Sequence, residues 1–131
     1  MKKVTAGLMF TCVLTLCSGC GGGYSQAEQA TKEMLSSMND ISAALESVKD
    51  KATAKAAAPK IEAAVARMQE AKKKGDSAKG TQADKEKLEK EYMPKIQEAS
   101  DRMLKASMSA ALASGGDPTF LKAIDKMKNL K

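Results

Sequence analysis

The apolar positions of this chain fall into one unbroken run and then into stretches of helical periodicity. Residues 4–16 are uncharged and mostly apolar, and the next charged residue after Lys3 is Glu28. From residue 25 onward, apolar residues recur at steps of three and four. Ala27, Met34, Ile41 and Val48 repeat every seven residues, and Thr31, Met38, Leu45 and Ala52 repeat the same step four residues later. The two series make one stripe on a helix over residues 25–49, a rod of roughly 36 Å at 1.5 Å per residue. Ser25 with Glu28 three residues on has the form of a capping box for its start.

Either Asp50 or Thr53 can cap a second helix, whose stripe is Ile61, Ala64, Val65, Met68 and Ala71. Pro59 fits a helix's first turn best, because an interior proline lacks the N–H that the ladder needs. Residues 72–82 read as the clearest break, with Lys72-Lys73-Lys74-Gly75 followed by Lys79-Gly80. Thr81 with Asp84 restarts a third helix to about residue 114, carrying Leu88, Tyr92, Ile96, Ala99, Met103, Ala106 and Ala110 at helical spacing. Pro94 predicts a kink within it. After Gly115-Gly116, Asp117-Pro118 is a cap followed by proline at the first helical position. A short terminal helix then carries Phe120, Leu121, Ile124, Met127 and Leu130. Short breaks between amphipathic helices favour antiparallel neighbours. The expectation is an all-α fold: three long amphipathic helices in an antiparallel bundle, plus the short C-terminal helix.

Composition suits helices and a thin core. The 131 residues include 9 Met but no Trp, and aromatic residues make up only 3%. Ala, Lys, Glu and Met lose little side-chain entropy in a helix, but small side chains bury little area, so an isolated monomer is expected to be modestly stable.

The chemistry of catalysis is hard to assemble from these residues. There is no histidine, which removes the commonest general base and zinc ligand. The carboxylates sit among lysines on charged helix faces, and Gly21-Gly22-Gly23 lacks the strand–turn–helix setting of a phosphate loop. Met34 with Met38, and Met103 with Met108, offer soft thioethers suited to copper(I), but methionine at helical spacing reads as core filler or a pliable partner face. The expectation is a non-enzyme with no catalytic, cofactor or metal residues. Lys72–Lys74 and Lys79 form a basic loop that reads as a solvated surface, with contact to anionic lipid as the alternative.

The apolar run at the N-terminus changes the picture most. Met1-Lys2-Lys3 is a positive n-region, residues 4–16 an h-region, and Cys17-Ser18-Gly19-Cys20 supplies small residues for cleavage. The run is shorter than the ~20 apolar residues of a membrane span. Ser18, Gly19 and Cys20 resemble the last three positions of a bacterial lipobox, with Cys17 where leucine is usual. The resemblance to the bacterial lipoprotein class covers about the first twenty residues. It implies cleavage before Cys20, a thioether-linked diacylglycerol on its sulfur, and an amide-linked acyl chain on the new amino group. Cys12, Cys17 and Cys20 are the only cysteines, so cleavage leaves Cys20 without a thiol partner. Two or more acyl chains anchor a protein stably.

The expected organisation is therefore a removed signal peptide at 1–19, a lipidated cysteine with a Gly-rich leash at 20–25, and a helical domain at 26–131. The layout also resembles the murein lipoprotein, in its acylated Cys20, its heptads and its terminal Lys131. That resemblance implies attachment of Lys131 to peptidoglycan, although that family is shorter and a single continuous helix. The expected role is a membrane-anchored envelope lipoprotein, non-enzymatic, binding a protein partner, self-associating or acting structurally. The alternative is a periplasmic carrier or chaperone for apolar ligands or unfolded chains. The lipid bilayer is the expected partner through Cys20, and nucleic acid is not expected. If the residue after the cysteine directs sorting, Gly21 favours the outer membrane over the inner one.

Overall fold

The computed structural model describes residues 23–128, so the signal region, the lipobox with Cys20, Leu130 and Lys131 lie outside the described residues. The described chain is all-helical: α1 is Gly23–Glu46, α2 Lys51–Ser77, α3 Gln82–Ala113 and α4 Pro118–Lys128.

Local chemistry sets most of the boundaries. Asp50 and Thr53 are both used at the start of α2, in one reciprocal box. The Thr53 N–H donates to Asp50 Oδ1 at 2.8 Å, while the Asp50 N–H donates to Thr53 Oγ1 at 2.9 Å. Thr81 and Asp84 repeat the device at α3, where the Thr81 N–H donates to Asp84 Oδ2 at 2.9 Å. At α4, Asp117 Oδ1 accepts from the Thr119 and Phe120 N–H groups, each at 3.0 Å, and Pro118 has no N–H to satisfy. Gly115 and Gly116, with φ of 57° and 76°, make the turn between α3 and α4.

Two boundaries and the place of Pro59 differ from expectation. Helix α1 is already helical at Gly23, so Ser25 lies in its first turns rather than at its cap, and the expected leash at 20–25 loses its last three residues to the helix. Helix α2 runs through Lys72-Lys73-Lys74-Gly75 to Ser77, and the break shrinks to residues 78–81. The reason is tertiary. Ala71, Gly75 and Ala78 are all buried, and Lys74 Nζ meets Glu33 Oε2 of α1 at 2.9 Å. Packing along this face outweighs the ~1 kcal/mol cost of an interior glycine. Pro59 lies inside α2 rather than in its first turn, and Pro94 lies inside a single continuous α3. Both prolines are exposed, so water can serve the carbonyls that lack a helical donor.

Helix α1 is the hub. It packs against both α2 and α3, while α2 and α3 touch each other little, and α4 packs on α2. A helix covered on two sides needs a wider buried face than one stripe. Besides Met38, Ile41 and Leu45, α1 buries Ala30, Ser37 and Ala44, a series of small residues seven apart. Helix α2 answers with Ala57, Ala64 and Ala71 at the same step. Small side chains let two helices approach closely, and the hydroxyls on this face do not cost an orphan polar group. Ser37 Oγ donates to the Glu33 carbonyl and Ser42 Oγ to the Met38 carbonyl, both at 2.9 Å. Ala52, expected on the α1 stripe, is instead exposed in the first turn of α2.

The largest fully buried side chains include Phe120, Ile41, Leu45 and Ile61. Phe120 is the sole aromatic among them, and it brings α4 into the common core. Met34 and Met38 pack in that core, as do the α3 residues Leu88, Tyr92, Ile96, Ala99, Ala106 and Ala110. No buried side-chain nitrogen or oxygen among the described residues lacks a hydrogen-bond partner.

Candidate functional site

Two places in the described structure stand apart from plain packing: the end of the molecule where α1 begins, and the outer face of α3.

At the first, Gly23 is buried against the α2–α3 connection. The start of α1 lies beside residues 79–80, three residues after Cys20 in the chain. Close by, Lys87 Nζ lies 4.9 Å from the Tyr24 ring centroid. One turn on, the Tyr92 hydroxyl donates to Glu28 Oε1 at 3.1 Å and Lys32 Nζ pairs with the same carboxylate at 2.9 Å. The Lys32 hydrogen bond, then that of Tyr92, holds the Glu28 carboxyl below its ordinary range. Burial, reinforced by the Glu28 carboxylate, pushes the Tyr92 phenol up.

Further along, charged pairs tie α1 to both neighbours. Glu33 meets Lys74 and Asp40 meets Arg67, so two acids seven residues apart on α1 meet two bases seven residues apart on α2, in reverse order. Arg102 of α3 grips Glu46 with two parallel bonds, Nε to Oε1 at 2.7 Å and Nη2 to Oε2 at 2.6 Å. The guanidinium holds the Glu46 carboxyl below its ordinary range. Lys126 of α4 meets Glu62 of α2 at 2.7 Å. These groups are half-exposed and arranged as pairs, so they align helices rather than poise acids and bases for proton transfer.

The second place is Leu104, Met108 and Leu112 on α3. They are exposed by 62%, 65% and 87% and lie one turn apart, opposite the face that buries Ala99, Ala106 and Ala110. From residue 106 to residue 116 the chain carries no charge. The stripe is legible as a second set of i, i+4, i+8 positions. Sequence reasoning passed over it because Met103, Ala106 and Ala110 supply a competing series in the same segment. Met103 is half-buried against the core and Met108 exposed, so these two methionines do not share a face. Leu121 of α4 is also exposed.

The grooves are open, with charged residues at their sides. One of about 830 Å³ runs beside Glu46, Glu98, Asp101, Arg102 and Lys105, and another of about 600 Å³ lies beside Met93 and Pro94. Among the described residues, no three or more of His, Cys, Asp and Glu gather as a metal would need. No described helix is long and apolar enough to cross a membrane. No protein family, no curated protein and no solved structure matches this chain.

Proposed function

We propose that this protein is a non-enzymatic envelope lipoprotein, held to a bilayer by acylated Cys20 and presenting a helical bundle to a protein partner or to a structural role. The observation that carries this reading is the Ser18-Gly19-Cys20 sequence after a short apolar run, with an amphipathic helical domain following almost at once. Helix α1 is already formed at Gly23, which lies three residues after the cysteine. A domain tethered so closely stands at the membrane surface with its α2–α3 end toward the lipid.

The finer architecture is an antiparallel, up-down-up-down bundle around α1. The reversed order of the Glu33–Lys74 and Asp40–Arg67 pairs supports opposite directions for α1 and α2. The Glu28–Tyr92 and Glu46–Arg102 contacts support a common direction for α1 and α3. On this arrangement the outer stripe of α3 points away from the lipid, roughly 33–45 Å from the start of α3. Gly21 after the cysteine favours the outer membrane. The carrier reading draws no support from the described grooves, which are open rather than enclosed.

Mass measurement of the mature N-terminus tests the anchor. The expected product begins at Cys20 and carries diacylglycerol and an amide-linked acyl chain. An uncleaved Met1, or an unmodified Cys20, overturns the reading.

A further inference from the structure

We infer that the outer face of α3 is a self-association surface, on which a second copy of this chain packs antiparallel about a two-fold axis at Met108. Leu104, Met108 and Leu112 are the exposed apolar residues of one helix face, and they read the same in both directions. An isologous contact demands this self-complementarity. With Met108 at the axis, Leu104 of each copy meets Leu112 of the other, and the two methionines meet at the centre.

Charge selects the antiparallel arrangement. In a parallel pair, Asp101 would face Asp101 and Lys105 would face Lys105 across the seam. In the antiparallel pair, Lys105 falls beside Ala111 of the other copy, at the last turn of its α3. That turn carries the negative end of the helix dipole and has no basic residue of its own. Ser107, Ser109 and Ala111 flank the stripe with small side chains. Three side chains cover less than the ~800 Å² per partner of a stable interface, so the pair is weak in dilute solution. If the anchor proposed for Cys20 holds, confinement to one bilayer raises the effective concentration of copies and favours the pair.

Residues 21–131 hold the whole described core and no cysteine, so thiols placed on the surface report contacts cleanly. The experiment is disulfide crosslinking of Met108→Cys, Leu104→Cys, Leu112→Cys and, as a control on exposed α2 surface, Lys60→Cys. Met108→Cys is expected to crosslink to itself at least about tenfold faster than Lys60→Cys, as proximity predicts. Leu104→Cys is expected to crosslink with Leu112→Cys when the two are mixed, and neither with itself. Adding Leu112→Lys to Met108→Cys is expected to remove the excess with the helical circular dichroism unchanged. Met108→Cys no faster than the control overturns the proposal, and so does Leu104→Cys linking to itself as fast as Met108→Cys. These soluble measurements do not involve Cys20, so a failed anchor leaves their outcome unchanged.

Discussion

The Tyr92 hydroxyl of α3 donates to the Glu28 carboxylate of α1 at 3.1 Å, from a side chain that is almost wholly buried. This bond makes stability depend on pH at both ends. Glu28, Glu33, Glu46, Asp50 and Asp84 all titrate below their ordinary values in the fold, held there by Lys32, Lys74, Arg102, Thr53 and Thr81 respectively. A depressed carboxyl contributes stability above its unfolded value and loses it as pH falls through the folded one. The thermal midpoint is therefore expected to decline as pH falls past 4.5 and 3.8, the ordinary values of Glu and Asp. Tyr92 is raised above 10.0, so its contribution is present below that pH and lost as pH rises through the folded value. Tyr92→Phe is expected to be less stable at neutral pH and to move the onset of the alkaline decline upward, toward the range of Lys32 and Lys74, which are raised above 10.5. Thermal melts of both proteins across the pH range check this. An identical alkaline limb in the variant would count against it.

The small-residue face between α1 and α2 predicts a sharp contrast between neighbours. Ala64 is fully buried and Ala63 exposed. Ala64→Leu is expected to destabilise by about 1–3 kcal/mol in urea unfolding, because added methylenes must force the helices apart. Ala63→Leu is expected to be close to neutral, within about 0.5 kcal/mol. Equal midpoints for the two variants would refute close packing at this seam.

Among the described residues Phe120 is the one aromatic side chain that is fully buried, and it ties α4 to the rest of the core. Phe120→Ala is expected to cost about 3–5 kcal/mol. Amide exchange in α4 is expected to quicken more than in α1, since α4 has α2 as its main neighbour.

Much of the helical layout was legible because its signals are local. The boxes at Asp50–Thr53 and Thr81–Asp84 and the Asp117-Pro118 start each lie within four residues. The buried face of α3 follows from Leu88, Tyr92, Ile96, Ala99, Ala106 and Ala110, whose spacing puts them on one side of any helix they form. Gly75 misled because a lysine run followed by glycine is a stop signal only where nothing packs against the next turn. Helix α2 keeps going there because Ala71, Gly75 and Ala78 are covered.

The amino-acid sequence by itself determined that this chain is helical, where most of the helices start and stop, and which apolar residues share a face. The anchor proposed at Cys20 likewise rests on the sequence alone, on Ser18-Gly19-Cys20 after the apolar run. Only the tertiary structure decided that α1 is covered on two sides, and so that Ala30, Ser37 and Ala44 count as core. It also decided that Leu104, Met108 and Leu112 are left bare. The physical reason is the range of the causes. A cap or a periodicity acts within a few residues, whereas burial depends on which distant helix lies alongside, and a helix with two apolar faces does not announce which of them a neighbour will take.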